Sequence, residues 1–273
     1  MGTTSSPTIH PSALIDPTAQ LAEDVSIGPF CVVGKEVVLG RGTRLEANVM
    51  IEPYTTLGEE CHVRQGAVLG GTPQDHKFRN ERSFLIIGNR NNIREFTTIH
   101  RATGEDQVTR LGDDNMVMAY CHIGHNSVLG NNIIMANQVG ISGHCVVEDR
   151  AVFGGIVGVH QFVHIGKFAM MGGMSKVVTD VPPFMMTDGR PNEVVGLNVL
   201  GLRRAGIPPR VRSGLKHAFR LLYRSSLNLS QAIEAIQRDV EPSEEREYLL
   251  EFMGKIRRGH SGRQNDPNRP RET

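Results

Sequence analysis

No tryptophan occurs in the 273 residues, and aromatic residues make up only 5% of them. A core built on large rings is thereby excluded, so apolar packing must come from Ile, Val, Leu and Met. There are four cysteines and no C-x-x-C or other close pair, which excludes a disulfide framework and the common zinc clusters. Neither sign of charge is in excess. Thirty Lys and Arg against 29 Asp and Glu leave a net charge of +1, which makes no case for nucleic acid as a partner. No apolar run approaches the ~20 residues of a spanning helix, so membrane insertion is not expected. No charged-then-apolar signal peptide opens the chain. The start, Met1-Gly2-Thr3-Thr4-Ser5-Ser6, fits the permissive myristoylation pattern. Nothing else points to a lipid anchor, and residues 1–8 read as a disordered polar leader.

What the chain has instead is a repeat. Stepping by six from Ile9 to Val177 visits 29 positions, of which 26 are apolar; the exceptions are Asp75, Glu81 and Glu105. The residue after the step is glycine twelve times, as at Gly28, Gly40, Gly124 and Gly166, which suits a corner where the backbone turns. Four residues after the step comes a small or β-branched residue, such as Ala13, Val49 and Ser127. Six residues cannot be a helical period; they fit one short strand and a corner. Three such units close an 18-residue triangular coil, and coils stack at the strand spacing of about 4.8 Å. Cys31, Cys61, Cys121 and Cys145 all fall in the small-residue column, which makes them buried packing residues and fits a reducing compartment. The reading is a mainly β protein: a parallel β-helix of hexapeptide repeats over residues 9–190.

The broken steps predict two loops leaving the prism, at about 70–83 and 101–109. After Pro182-Pro183 the pattern changes. Residues 196–206, 209–225, 230–240 and 243–257 read as amphipathic helices, with Ser230 and Ser243 as N-caps. They make a small α-helical domain over 191–258, and from residue 259 a polar tail reads as disordered. Between Val194 and Ile233 there is no acidic residue but there are Arg203, Arg204, Arg210, Arg212, Lys216, Arg220 and Arg224. Either this is a solvated helix face or it is a docking surface for phosphates or an acidic partner.

Histidines gather in the later coils as His122, His125, His144, His160 and His164. Zinc β-helix enzymes place two ligands as H-x4-H; here the spacings are His122-x2-His125 and His160-x3-His164, so no metal and no other cofactor is expected. A base fits better. One coil of 18 residues beyond His125 stands Gly143, with His144 beside it. An imidazole facing a glycine amide can take a proton from a hydroxyl, and the unobstructed N–H can stabilise an oxyanion. Gly155 and Gly173 are also 18 residues apart, so they stack on adjacent coils and leave a shallow strip suited to an alkyl chain, unless both simply relax a tight corner.

The string Gln74-Asp75-His76-Lys77-Phe78, with Ile93-Arg94-Glu95, Thr98-Ile99-His100-Arg101, His122-Ile123-Gly124-His125, Gly143-His144, Val159-His160-Gln161-Phe162 and Asp180-Val181-Pro182-Pro183, resembles the UDP-N-acetylglucosamine acyltransferases. The similarity spans about residues 8–225, and a generic hexapeptide protein shares the repeat but not these motifs. The resemblance implies a left-handed coil, a homotrimer with sites in the clefts between subunits, and a cytoplasmic enzyme of lipid A biosynthesis. It implies transfer of a (R)-3-hydroxyacyl chain from acyl carrier protein to the 3-position of UDP-N-acetylglucosamine. His125 would be the general base and Gly143 the oxyanion amide. Asp75, Lys77 and His122 would position the sugar, and His144 and His160 would line the site. Gln161, Asn198 and Arg204 would touch the nucleotide diphosphate, Gly155 and Gly173 would border the acyl chain, and the basic helices would meet the acidic carrier. The family usually has aspartate after the base, where Asn126 stands here. Asparagine can orient the imidazole but cannot stabilise its charge, which predicts lower turnover. Leu200 and Ala205 also depart from the glutamate and second arginine of many members. Two other readings are a related N-acyltransferase on a UDP-amino sugar, which normally carries a domain before the helix, and a non-catalytic β-helix scaffold subunit.

Overall fold

A computed structural model describes residues 6–257 and 262–267. Strands mostly of two residues alternate with four-residue corners from Thr8–Ile9 onward and build three sheets of eleven, nine and eight strands, parallel except for one pair at the C-terminal end. Partners in a plain coil are 18 residues apart, as at Leu14↔Val32 and Ile15↔Val33. The step widens to 30 at Val68↔Thr98 and to 24 at Thr98↔His122, where the two loops leave the prism. Both insertions are whole multiples of six, which is why the apolar step keeps its phase across them. The residues of that step fill the interior: Ile51, Val63, Ile93, Ile123 and Ile141 are completely buried. So are the four cysteines, and burial pushes the Cys145 thiol up to about 12, which keeps it unreactive.

The corner glycines have a different role from the one their position suggests. None of Gly28, Gly40, Gly124 and Gly166 has a left-handed φ. Each lies against the backbone of the next coil: a Cβ would stand 2.9 Å from the Glu46 carbonyl carbon at Gly28 and 2.7 Å from the Gly143 nitrogen at Gly124. The left-handed residue of each corner comes two positions later and is usually not glycine, as at Asn126 (φ 58°), His144 (φ 60°) and Phe162 (φ 64°).

At the C-terminal end an antiparallel pair, Met185–Asp188 with Glu193–Leu197, closes the first sheet. The stretch expected as helix from residue 196 is therefore strand up to Leu197. Asn198 then accepts from the Gly201 N–H and starts α1 (Val199–Arg204). α2 (Pro209–Tyr223), α3 (Leu229–Asp239) and α4 (Glu244–Arg257) follow. The cap of α3 is Asn228, in a reciprocal capping box with Gln231, and not Ser230; Ser243 does accept from the Arg246 N–H at the start of α4. These helices form a second core around Leu202, Leu215, Ile236 and Leu249. Glu148 joins it to the prism, accepting from Tyr248 Oη at 2.6 Å and from the Lys167 N–H at 2.8 Å.

Both ends are more ordered than their composition suggests where they are described. Thr8 pairs with Ser26, so the first strand begins inside the expected leader; residues 1–5 lie outside the described residues. Gly262–Asn265 forms a 3-10 turn, with the Arg263 N–H on Asp180 Oδ1 (3.0 Å) and Arg263 Nε on the Val178 carbonyl (3.2 Å). Fixed partners on the prism overcome the polarity that reads as disorder. The remaining tail residues, 259–261 and 268–273, lie outside the described residues.

Candidate active site

The strand His122–Ile123 and the corner Gly124-His125-Asn126 set the centre of the site. The Asn126 amide is held on both of its ends: Oδ1 accepts the Thr103 N–H (2.9 Å) and Nδ2 donates to the Thr103 carbonyl (3.0 Å). Its orientation leaves Oδ1 as the acceptor facing His125 Nδ1 at 2.8 Å. His125 therefore carries its proton on Nδ1 and presents the Nε2 lone pair outward. On its Nε2 side the ring lies against Gly143, where a Cβ would stand 2.8 Å from Nε2. The Gly143 N–H meets no acceptor among the described residues. A base with a fixed tautomer thus lies against a free amide donor, the pair that acyl transfer to a hydroxyl requires.

A cleft of about 500 Å³ opens over this pair, lined by His100, His122, His160 and Gln161 among others. His122 Nδ1 pairs with Thr98 Oγ1 at 2.8 Å, which fixes that ring. The His144 ring stacks on Phe162 at 4.7 Å and meets His125 edge-on at 5.1 Å. Burial, then repulsion from His125, lowers the pKa of His122 and of His144. Both are neutral at neutral pH and can only hydrogen-bond.

His100 has no role in the sequence reading but belongs here. It is 8% exposed, its ring meets His122 edge-on at 4.8 Å, and burial brings its pKa down to about 4. Its Nδ1 is buried with no partner among the described residues. Ser142 and Lys176 also line the cleft without having been singled out, as does Gln74, which the sequence reading names only within a motif. The signal for Lys176 was its place three coils of 18 after His122. Gln161 reaches Asp266 of the tail, Nε2 to Oδ2 at 3.4 Å.

Other expected residues stand apart in the single chain. Asp75 and Lys77 are on the first loop, where Asp75 Oδ1 accepts the Lys77 N–H at 2.9 Å. They act on the His144 ring through space, one raising and the other lowering its pKa. Asn198 is 9% exposed, caps α1 and donates to the Phe168 carbonyl at 2.9 Å. Arg204 is exposed in the last turn of α1. Gly155 and Gly173 stack as expected but on the corner after the first sheet, outside this cleft. Among the described residues no group of three His, Cys, Asp or Glu is placed to hold a metal ion, and no helix is long and apolar enough to cross a membrane.

Comparison with known proteins decides the family. The profile of the second domain of the UDP-N-acetylglucosamine O-acyltransferases matches residues 180–261. An acyl-[acyl-carrier-protein]–UDP-N-acetylglucosamine O-acyltransferase of a Synechocystis species is 48% identical over 86% of this chain and 85% of its own length. One from Thermodesulfovibrio yellowstonii is 44% identical over 92% of this chain and 98% of its own. The chain belongs to the UDP-N-acetylglucosamine O-acyltransferase family. The fold agrees: the UDP-N-acetylglucosamine acyltransferase of Francisella novicida superposes with a TM-score of 0.88 at 35% identity, covering 96% of this chain and 95% of that one. An Arabidopsis UDP-N-acetylglucosamine acyltransferase gives 0.82 at 34% identity, over 96% and 98%. The prism is the left-handed β-helix of this acyltransferase family, with its small helical C-terminal part.

Proposed function

We propose that the enzyme transfers a (R)-3-hydroxyacyl chain from acyl carrier protein to the 3-position of UDP-N-acetylglucosamine, the first step of lipid A biosynthesis, with His125 as the general base. The observation that carries this is the Asn126–His125–Gly143 line: amide oxygen on Nδ1, free Nε2, unobstructed glycine amide. His125 Nε2 takes the proton of the sugar hydroxyl as its oxygen attacks the thioester carbonyl. The Gly143 N–H receives the oxyanion. Collapse breaks the C–S bond, and the imidazolium returns its proton to the leaving thiolate.

The remaining roles follow the same reading. Asp75, Lys77 and His122 hold the glucosamine; His160 lines the cleft, and His144 joins the site against the His125 ring. Gln161, Asn198 and Arg204 meet the diphosphate, and Gly155 and Gly173 border the acyl chain. Because Asn198, Arg204, Gly155 and Gly173 lie away from the cleft of their own chain, the site is completed by a neighbouring copy in a homotrimer. An apolar edge of the prism supports assembly: Phe30, Phe96, Tyr120, Ile156 and Met174 are 49–65% exposed along the corner column after the first sheet. The cytoplasm, where acyl carrier protein works, is the proposed compartment.

The test is transfer in vitro from a series of acyl carriers to UDP-N-acetylglucosamine, with mass analysis of the product and of where it is acylated. His125→Ala should lower kcat by about 10²–10⁴ with folding unchanged. No acyl-sugar product, or near-normal turnover in a folded His125→Ala protein, refutes the assignment.

A further inference from the structure

The floor of the cleft is a single column of the second sheet, in which Thr98, His122, Gly140, Gly158 and Lys176 follow one another in register. Glycine within a strand is less stable than alanine there. The chain itself gives no reason for these two. Neither has a left-handed φ, and a Cβ at either would meet nothing within 4 Å. Glycine of that kind marks a place where a ligand or another backbone comes close. From one end of the floor the buried, unpartnered His100 faces the same cleft. At the other end stands Lys176, exposed and with no ion-pair partner among the described residues.

Charge singles out Lys176. Among the described residues it is the one Lys or Arg lining the cleft, and no carboxylate lines it. Of the histidines lining it, His100 and His122 are held neutral by burial and bring no positive charge at neutral pH. Lys176 stands two coils, about 10 Å, beyond Gly140 along the prism.

We propose that Lys176 anchors a substrate phosphate, and that the Gly140–Gly158 shelf seats the part of the substrate between that phosphate and the reacting atoms. The inference rests on the transferase reading, in which both substrates carry the required group. One is the diphosphate of the nucleotide sugar; the other is the phosphodiester on the carrier's pantetheine arm. An ammonium is suited to either as a point charge.

The experiment compares the whole enzyme with Lys176→Met, Lys176→Arg and Gly158→Val. It measures KM for each substrate, and the Kd of UDP-N-acetylglucosamine and of an acyl-phosphopantetheine by calorimetry. Loss of a charge-assisted hydrogen bond predicts a rise of about 10–100-fold in KM and Kd for one substrate in Lys176→Met, with little change in kcat. Lys176→Arg should stay within a few-fold of the parent, and the ligand whose Kd moves identifies the phosphate. Gly158→Val should keep or raise Tm, because its side chain enters open space, yet weaken the same ligand by about tenfold or more. Unchanged affinities for both ligands in Lys176→Met overturn the anchor, and parental affinity in Gly158→Val overturns the shelf. Loss of assembly in Gly158→Val without loss of ligand would also overturn it, by giving the shelf to a second copy. Absence of transfer in the parent enzyme would sink the transferase reading alone; the two Kd values would still decide Lys176.

Discussion

Asn126→Asp places a full negative charge beside the base, and the structure predicts that it separates stability from catalysis. The two side chains have one shape, so the carboxylate would occupy the same seat. One oxygen would still accept from His125 Nδ1, now at 2.8 Å from a full negative charge, and from the Thr103 N–H. The other would replace Nδ2 and face the Thr103 carbonyl at 3.0 Å, lone pairs against lone pairs. A lost hydrogen bond with an opposed acceptor costs about 1–3 kcal/mol. For a chain of this size that is a fall in Tm of about 2–4 °C per kcal/mol. Catalysis should move the other way. A carboxylate in contact with the imidazole favours its protonated form, so the acid limb of kcat/KM against pH should rise by about one unit or more. At pH 8, above that limb, kcat should be equal to or higher than the parent's, since the imidazolium formed in the transition state gains a counter-charge. The assays are thermal unfolding and a pH–rate profile over pH 5–9 on the same preparations. A variant with parental Tm and an unmoved acid limb would show that Asn126 is not coupled to the base, and the tautomer argument would fall with it.

Gly143→Ala places a methyl 2.8 Å from His125 Nε2, while Asn126 holds the other side of the ring. Displacing the base by a fraction of an ångström should lower kcat about 10²-fold or more at nearly parental Tm; equal kcat would remove Gly143 from the site. For His100 the folded pKa of about 4 lies below the ordinary value of 6.5, so as pH falls from 6.5 to 4 the unfolded chain binds a proton that the folded chain refuses. Stability should therefore be full above 6.5 and fall through that window, by up to about 3 kcal/mol from this residue. His122 and His144 act in the same direction. A Tm that is flat from pH 7 to 5, or equally pH-dependent in His100→Gln, would contradict this. At Gly173 a Cβ would meet the Gly155 carbonyl at 3.4 Å, ordinary contact, and φ is not left-handed, so the corner itself does not require glycine. Gly173→Met should fold and shift kcat/KM toward shorter acyl donors, about 0.8 kcal/mol for each methylene denied burial; an unchanged chain-length profile would show that position 173 does not border the acyl chain.

The six-residue step determined the coils, the buried cysteines and the placing of Gly143 opposite His125, because in a parallel coil the neighbour in space is a fixed number of residues away in sequence. That rule holds only where a coil has its plain length. The loops add multiples of six, so the step keeps its phase; the extra units show only as the broken steps at Asp75, Glu81 and Glu105, two in the first stretched coil and one in the second, and the plain spacing of 18 does not apply across them. His100 shows the consequence. Eighteen residues on from it is Met118, but the real step at that strand is 24, which brings its ring onto His122 and into the cleft. Lys176 obeys the plain step, and was missed because the reading followed histidines rather than the column. Other features depend on contacts between distant segments, which no period encodes. Thr103 holds both ends of the Asn126 amide from within the second loop, and so fixes which nitrogen of His125 is the base. Asp180 and Val178 order a tail whose composition reads as disorder. Gly155 and Gly173 have the spacing of an acyl strip, but the triangular cross-section sets them on a different edge from the histidines. A period along the chain specifies which residues stack; only closure of the prism decides which stacks share a cleft.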